Sequence, residues 1–258
     1  MSGAFRARLR QGHRTMAYPS APPPPLPERF RGRPVIDTSR CPPDCRACAE
    51  ACPTGAIVPG APGLMVDLGK CLFCTDCVRA CPEGCISHSG DHRLAVGRRD
   101  ALVLAGRDGD LHLAEGMGAR LQRLLGRSLK LRQVSAGGCN GCEADVNVLG
   151  TIGWDLGRFG IQVVASPRHA DGILVTGPVT EAMLPALRKT YDAVPAPKIV
   201  IAVGACAISG GPFIGHAEAH DGLGGILPVD LYVPGCPPHP LTILDGLLRL
   251  VGRLKAGD

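Results

Sequence analysis

Residues 199–215 read IVIAVGACAISGGPFIG, seventeen residues without a charge. Four glycines and Pro212 break the run, and it falls short of the roughly twenty apolar residues a membrane span needs. The better reading is a strand, Ile199–Val203, buried on both faces, then a glycine-rich loop that carries Cys206. Working outward, continuous apolar runs recur, as expected of parallel strands covered on both sides. Strand candidates are Lys130–Val134, Ile161–Ala165, Gly172–Thr176 and Leu231–Val233, and helix candidates are Cys142–Leu149, Thr180–Tyr191 and Leu241–Leu254. This alternation predicts an open α/β sheet, with its ligands in loops at the carboxyl ends of the strands.

The cysteines fall in such loops. Cys139 and Cys142 lie in SAGGCNGCE after one strand, Cys206 follows Ile199–Val203, and Cys236 follows Leu231–Val233 in VPGCPPHP. Three loops after three strands converge on one end of a sheet, and their glycines let backbone amides approach an inorganic cluster. Long gaps between ligands close at modest entropic cost once the fold exists. The set therefore points to an iron–sulfur site. A phosphate or flavin cradle is disfavoured because no G-x-G-x-x-G follows a strand. A thioredoxin-type pair is disfavoured because dithiol exchange needs neither Cys206 nor Cys236.

Upstream, residues 35–89 contain a repeat. Cys41–Ile57 (CPPDCRACAEACPTGAI) matches Cys71–Ile86 (CLFCTDCVRACPEGCI), with one more residue in the first gap. The second copy, Cys71-x2-Cys74-x2-Cys77-x3-Cys81-Pro82, is the bacterial ferredoxin run, whose fourth cysteine ligates the other cluster. Crossed ligation predicts one set of Cys41, Cys45, Cys48 and Cys81, and another of Cys71, Cys74, Cys77 and Cys52. The first departs from pattern, since Cys41 and Cys45 are separated by three residues (PPD). A structural zinc, the competing use, takes two thiolates from each of two separated knuckles. Cys85 aligns with Ala56, and reads either as an alternate ligand or redox-sensitive thiol, or as a small buried filler. Glu143, just after Cys142, reads either as a carboxylate supporting the cluster site and relaying protons, or as an N-terminal helix charge. The histidines show no ligand spacing.

The chain has 258 residues and thirteen cysteines, an odd, clustered count that favours metal over disulfides. Gly and Pro make up more than a fifth of it. Net charge is +5, but residues 1–40 carry eight Arg against Glu28 and Asp37. The basic, proline-rich residues 1–34 read as a disordered or polyproline II arm. Such an arm suits anionic lipid or an acidic protein surface better than nucleic acid, because no basic, aromatic-studded platform follows. No apolar h-region marks an export signal. Residues 90–128, arginine-rich and free of cysteine, read as a linker that also docks on a partner.

Residues 35–89 resemble a bacterial two-cluster [4Fe–4S] ferredoxin domain. Residues from about 129 resemble the small subunit of energy-converting, membrane-bound (group 4) [NiFe] hydrogenases, a family homologous to the 20 kDa subunit of complex I. The matching elements are GGCNGCEADVNVLG (137–150), DGILVTGPVT (171–180), VGACAISGG (203–211) and VPGCPPHP (233–240). In the complex I subunit the first two cluster cysteines are adjacent, so the spacing of Cys139 and Cys142 favours the hydrogenase branch. The resemblance implies a flavodoxin-like domain over 129–258 and a proximal cluster on Cys139, Cys142, Cys206 and Cys236. It also implies a catalytic large subunit of [NiFe] hydrogenase or complex I 49 kDa type, and membrane subunits that translocate ions. With a soluble carrier or donor enzyme, the expectation is a cytoplasmic-face electron conduit with three [4Fe–4S] clusters and no catalytic residue of its own. The alternatives are a complex I-type, quinone- or sulfur-reducing subunit and, from another class, a zinc-stapled binding module.

Overall fold

The computed structural model describes residues 3–12, 14–42, 44–60, 63–105, 111–125 and 128–255. In chain order the helices are α1 (Gly3–Gln11), α2 (Ala47–Glu50), α3 (Asp76–Ala80), α4 (Ala119–Leu125), α5 (Gly141–Val148), α6 (Leu184–Ala193), α7 (Ala205–Ser209) and α8 (Pro240–Leu250). The strands are β1 (Pro34–Ile36), β2 (Ile57–Gly60), β3 (Gly63–Asp67), β4 (Ile86–His88), β5 (Val103–Ala105), β6 (Leu129–Ser135), β7 (Ile161–Val163), β8 (Gly172–Thr176), β9 (Ile199–Val203) and β10 (Leu231–Val233).

β6 to β10 form one fully parallel sheet in the order β7-β6-β8-β9-β10. Counted within the sheet this is 2-1-3-4-5, the flavodoxin-like order, whose switch point lies between β6 and β8. Every residue of β8 and β9 is buried, which explains their unbroken apolar runs. One face packs Leu131, Leu174, Ile201 and Val233 against Val146 of α5 and Leu241, Leu244 and Leu248 of α8. The other packs Val134, Ile173, Val175 and Val200 against Leu187 of α6 and Ala207 of α7. A fully buried Leu or Ile of this kind contributes about 1.5–3 kcal/mol.

The two cysteine repeats place α2 and α3 side by side, closed by the antiparallel pair β1–β4. Between the repeats lies the hairpin β2–β3, extended by β5 into a second small sheet. This module does not stand apart. Ile36, Ile57, Leu64, Val66, Leu68 and Ile86 belong to the same apolar cluster as the second face of the large sheet.

Residues 90–105, expected as a linker, are the mortar of that joint. Leu94, Ala95, Val96 and Leu102 are buried. Val96 exchanges both backbone hydrogen bonds with Tyr232 (3.0 and 2.9 Å), covering the edge strand β10. Arg99 forks onto Asp67 (2.8 and 2.7 Å), and the buried Ser209 hydroxyl donates to the Gly69 carbonyl at 2.7 Å. The basic arm, expected to be disordered or polyproline II, is fastened at several points where described. Residues 3–11 are helical, Met16 N–H donates to Gly153 O, and buried Tyr18 donates to Asp245 Oδ1 at 2.9 Å. Asp245 is in turn paired with Arg249 (Nε to Oδ2, 2.9 Å), both side chains fully buried.

Candidate metal centres

Each dispersed cysteine sits where the sheet topology brings it. Cys139 lies on the loop after β6 and Cys142 in the first turn of α5; Cys206 lies in α7 just past β9, and Cys236 on the loop after β10. The loops touch. Gly204 N–H donates to Val233 O (2.9 Å) and Ala205 N–H to Gly235 O (2.8 Å). Gly204 has φ +91°, and a Cβ there would stand 2.5 Å from Cys142 Sγ, so backbone, not side chain, walls that thiol. Burial pushes the Cys142 thiol strongly up, and Cys206, Cys236 and Cys139 nearby add to the shift. Burial likewise pushes Cys206 up to about 12, reinforced by Cys236 and Cys139. The four expected residues are thus within electrostatic reach of one another. Cys206 is buried, whereas Cys139 and Cys236 are exposed, so this site opens to the surface.

In the repeat module, Cys71 is pushed up to about 12 by burial, with Cys77, Cys52 and Cys74 contributing. This is the crossed set, with Cys52 delivered from the first repeat. Cys48 is raised by burial and by Cys81 and Cys41, which gathers three members of the other set. Cys45 sits on the turn into α2, its N–H donating to Pro42 O at 3.1 Å. Backbone amides point at sulfur in both repeats: Ala56 N–H to Cys52 Sγ (3.2 Å), Cys85 N–H to Cys81 Sγ (3.2 Å) and Phe73 N–H to Cys71 Sγ (3.4 Å). Cys85 and Ala56 therefore do the same thing with their backbones, and both side chains are buried (2% and 1% exposed).

Two approaches run between sets. Helix α2, which carries Cys48, lies beside α3, which carries Cys77, and Cys236 and Cys74 line one cleft. The three sets thus form a row, with the repeat module's second set in the middle. Among the described residues, no group of three or more His, Cys, Asp or Glu side chains has the geometry of a single-ion site.

Glu143 is 6% exposed. Its Oε1 accepts from Ser135 Oγ (2.6 Å) at the end of β6 and from Thr176 Oγ1 (2.7 Å) at the end of β8. Burial pushes this carboxyl up, but the two hydroxyl donors outweigh it and hold it below the usual range. It therefore occupies the first turn of α5 and also ties the two strands of the switch point together. Ser135 and Thr176 lie within SAGGCNGCE and DGILVTGPVT, and their places at the ends of paired strands are the signal that would have singled them out. Trp154 packs against the first apolar cluster, and it and Arg158 meet the arm and its neighbours. Arg158 donates to the Met16 and Tyr18 carbonyls (2.6 and 2.7 Å), and Trp154 stacks edge-on to His239. His239 caps α8, its Nδ1 accepting from Leu241 N–H at 3.1 Å.

Comparison with known proteins agrees with this geometry. Residues 139–250 match the family model described as NADH ubiquinone oxidoreductase, 20 Kd subunit, and residues 39–86 match that of the 4Fe-4S dicluster domain. The chain is 44% identical over 136 residues to the probable membrane-bound hydrogenase subunit mbhJ of Pyrococcus furiosus, covering 53% of this chain and 81% of that one. It is 46% identical over 115 residues to an NADH-quinone oxidoreductase subunit of Bacteroides thetaiotaomicron, covering 44% of this chain and 58% of that one. Over 139 residues it is 44% identical to formate hydrogenlyase subunit 7 of Escherichia coli, covering 54% of each. The chain thus spans a little over half the length of the last two relatives. With a dicluster module ahead of its parallel-sheet domain, the chain belongs to the family of the NADH ubiquinone oxidoreductase 20 Kd subunit.

Proposed function

We propose that the chain is the iron–sulfur electron-transfer subunit of a membrane-associated [NiFe] hydrogenase-type complex, with three [4Fe–4S] clusters. The proposed ligands are Cys41, Cys45, Cys48 and Cys81 for the first, Cys71, Cys74, Cys77 and Cys52 for the second, and Cys139, Cys142, Cys206 and Cys236 for the proximal one. The observation that carries this reading is the row of thiol sets, with Cys48 and Cys77 on the adjacent helices α2 and α3 and Cys74 and Cys236 lining one cleft.

The donor chemistry fits such clusters: every side chain in each set is a thiol, amides point at sulfur in both repeats, and a bare glycine backbone packs directly against Cys142. When bound, each cluster supplies a one-electron centre whose potential follows burial, hydrogen bonds to sulfur and local charge. The protein's own part is to hold the thiolates, exclude water from Cys206 and Cys48, and keep the two modules in fixed register.

The exposure of Cys139 and Cys236 supports a proximal site on the surface that a catalytic large subunit would cover. A soluble carrier or donor enzyme would then meet the repeat module, whose Cys41–Cys48–Cys81 end is furthest along the row. No helix among the described residues is long and apolar enough to cross a membrane, so attachment to the cytoplasmic face of the inner membrane would come through ion-translocating partners. A second reading, a complex I-type subunit whose large partner lacks nickel, is favoured by the 46% identity to the NADH-quinone oxidoreductase relative.

Anaerobic co-purification with metal analysis of every subunit tests both. About twelve iron and twelve sulfide per chain is the expected result for three cubanes. Nickel in the large subunit selects the hydrogenase reading and its absence the second. Zinc without sulfide would overturn both.

A further inference from the structure

The arm is fastened to both modules and crosses the gap between them. At one end Thr15 Oγ1 donates to Ile152 O (3.2 Å), Arg158 holds the Met16 and Tyr18 carbonyls, and Tyr18 reaches Asp245. At the other, Gly32 N–H donates to Ser89 O (2.9 Å) and Arg33 N–H to Asp91 O (3.1 Å), leading into the β1–β4 pair. A Cβ on Gly32 would meet Asp91 O at 2.2 Å, so the backbones lie too close there for any side chain. Between these anchors, Pro27, Phe30 and Arg31 line a cleft of about 620 Å³ whose other walls include Cys74, Cys236 and His239. Phe30 packs edge-on against His239, with ring centres 5.3 Å apart.

Arg31 makes the decisive contact. Its Nη1 donates to the carbonyl of Phe73 at 3.2 Å. Phe73 lies between Cys71 and Cys74, is buried, has φ +54°, and points its own N–H at Cys71 Sγ. One residue is therefore held at its carbonyl by the arm while its amide is given to a cysteine sulfur. A β-branched or aromatic residue at positive φ is strained and persists only when its surroundings fix it.

We propose that the arm is a strap closing the junction between the second and proximal cysteine sets, and that Arg31 is a positioning residue that raises the reduction potential of the cluster on Cys71, Cys74, Cys77 and Cys52. The inference rests on the cluster assignment proposed above. Reduction adds negative charge to a cluster, so a fixed N–H···S bond and a nearby cation both favour the reduced form. Arg31 is exposed, so its charge is partly screened and its grip on Phe73 is the larger effect.

The test is a redox titration of the full-length, cluster-loaded protein followed by electron paramagnetic resonance, on wild type, Arg31→Gln, Arg31→Lys and Arg6→Gln. Iron and sulfide are counted first; a wild type without clusters sinks the cluster assignment, and this inference with it. With clusters present, Arg31→Gln is expected to move one of the three midpoints to lower potential and leave two in place. Arg31→Lys is expected to recover part of that shift, and Arg6→Gln, on the exposed α1, to leave all three at wild-type values. Should Arg31→Gln fail to hold its cluster, the Lys variant carries the test, with a smaller shift of the same sign expected. Three midpoints at wild-type values in the Arg31 variants, or an equal shift of all three, would overturn the proposal.

Discussion

Replacing Gly204 by alanine tests the proximal site at a single atom. Gly204 sits at φ +91°, ψ 156°, a region held almost only by glycine, and an alanine there costs on the order of 1–3 kcal/mol in backbone strain. The added Cβ would also stand 2.5 Å from Cys142 Sγ. Ordinary contact between heavy atoms begins near ~3.5 Å, so sulfur or backbone must retreat by about 1 Å. A metal–ligand bond tolerates only about 0.2 Å, several-fold less than the shift required. The backbone cannot yield cheaply, because Gly204 N–H is bound to Val233 O and the adjoining amide to Gly235 O. The expected outcome is loss of the proximal cluster alone, about four of twelve irons. Anaerobic iron and sulfide analysis reads it, with spin quantitation of the reduced protein. Gly55→Ala is the control: φ is +59° and nothing lies within 4 Å of the new Cβ, so strain is present without collision. A full iron complement and unchanged spectrum in Gly204→Ala would refute the reasoning, and equal loss in both variants would trace it to general misfolding.

Other outcomes follow from the same contacts. Arg249→Met leaves the fully buried Asp245 carboxylate with the Tyr18 hydroxyl but without its cation, and should cost about 3–5 kcal/mol in urea unfolding. The double replacement Asp245→Leu with Arg249→Met should recover most of that, and a single-variant loss below about 1 kcal/mol would argue against a buried pair. Burial holds His92 below the usual histidine range, against the pull of Asp245 and Asp91 and helped by Arg93 and Arg249, and its Nε2 has no partner among the described residues. The unfolded chain takes up that proton near pH 6.5 while the folded chain resists it. Stability is therefore held above that pH and lost as pH falls through it, and His92→Phe should shrink the drop between about pH 7.5 and about pH 5.5 seen in urea midpoints. Cys85→Ala keeps the amide that serves Cys81 and should leave the iron count unchanged; loss of about four irons would make Cys85 a ligand.

The parallel sheet was readable because its signal is local. β8 and β9 are buried along their whole length, so their apolar runs carry no competing pattern and their limits match the expected Gly172–Thr176 and Ile199–Val203. Helix limits were less visible. The helix expected from Thr180 starts at Leu184, after a turn in which Thr180 bridges to Ala219, and the last helix stops at Leu250, short of Gly252 at φ +71°. Within each repeat the cysteine spacing was readable because it is a short-range code. The arm was not. Polar, proline-rich residues 14–33 look disordered or polyproline II by composition, and what orders them lies far along the chain, at Ile152, Arg158 and Asp245 for one end and at Phe73, Ser89 and Asp91 for the other. The β2–β3 hairpin was hidden between the repeats, where Pro59 and flanking glycines read as loop. Glu143 kept two readings because its hydroxyl partners sit on separate strands, adjacent only once the sheet has formed.

The shared core of the two modules, with Ser209 bound to Gly69 and Val96 bridged to Tyr232, changes the kinetic character of the proposed conduit. A freely diffusing ferredoxin must find its acceptor by collision, at a rate that rises with concentration and falls with ionic strength when docking is electrostatic. Here the repeat module never leaves, and its effective concentration beside Cys236 exceeds the millimolar scale of a flexible tether, because no tether is sampled. In the proposed conduit, electron passage between the modules would be unimolecular, indifferent to dilution and added salt. Any salt dependence of the proposed complex would then belong to a partner that meets the Cys41–Cys48–Cys81 end of the row.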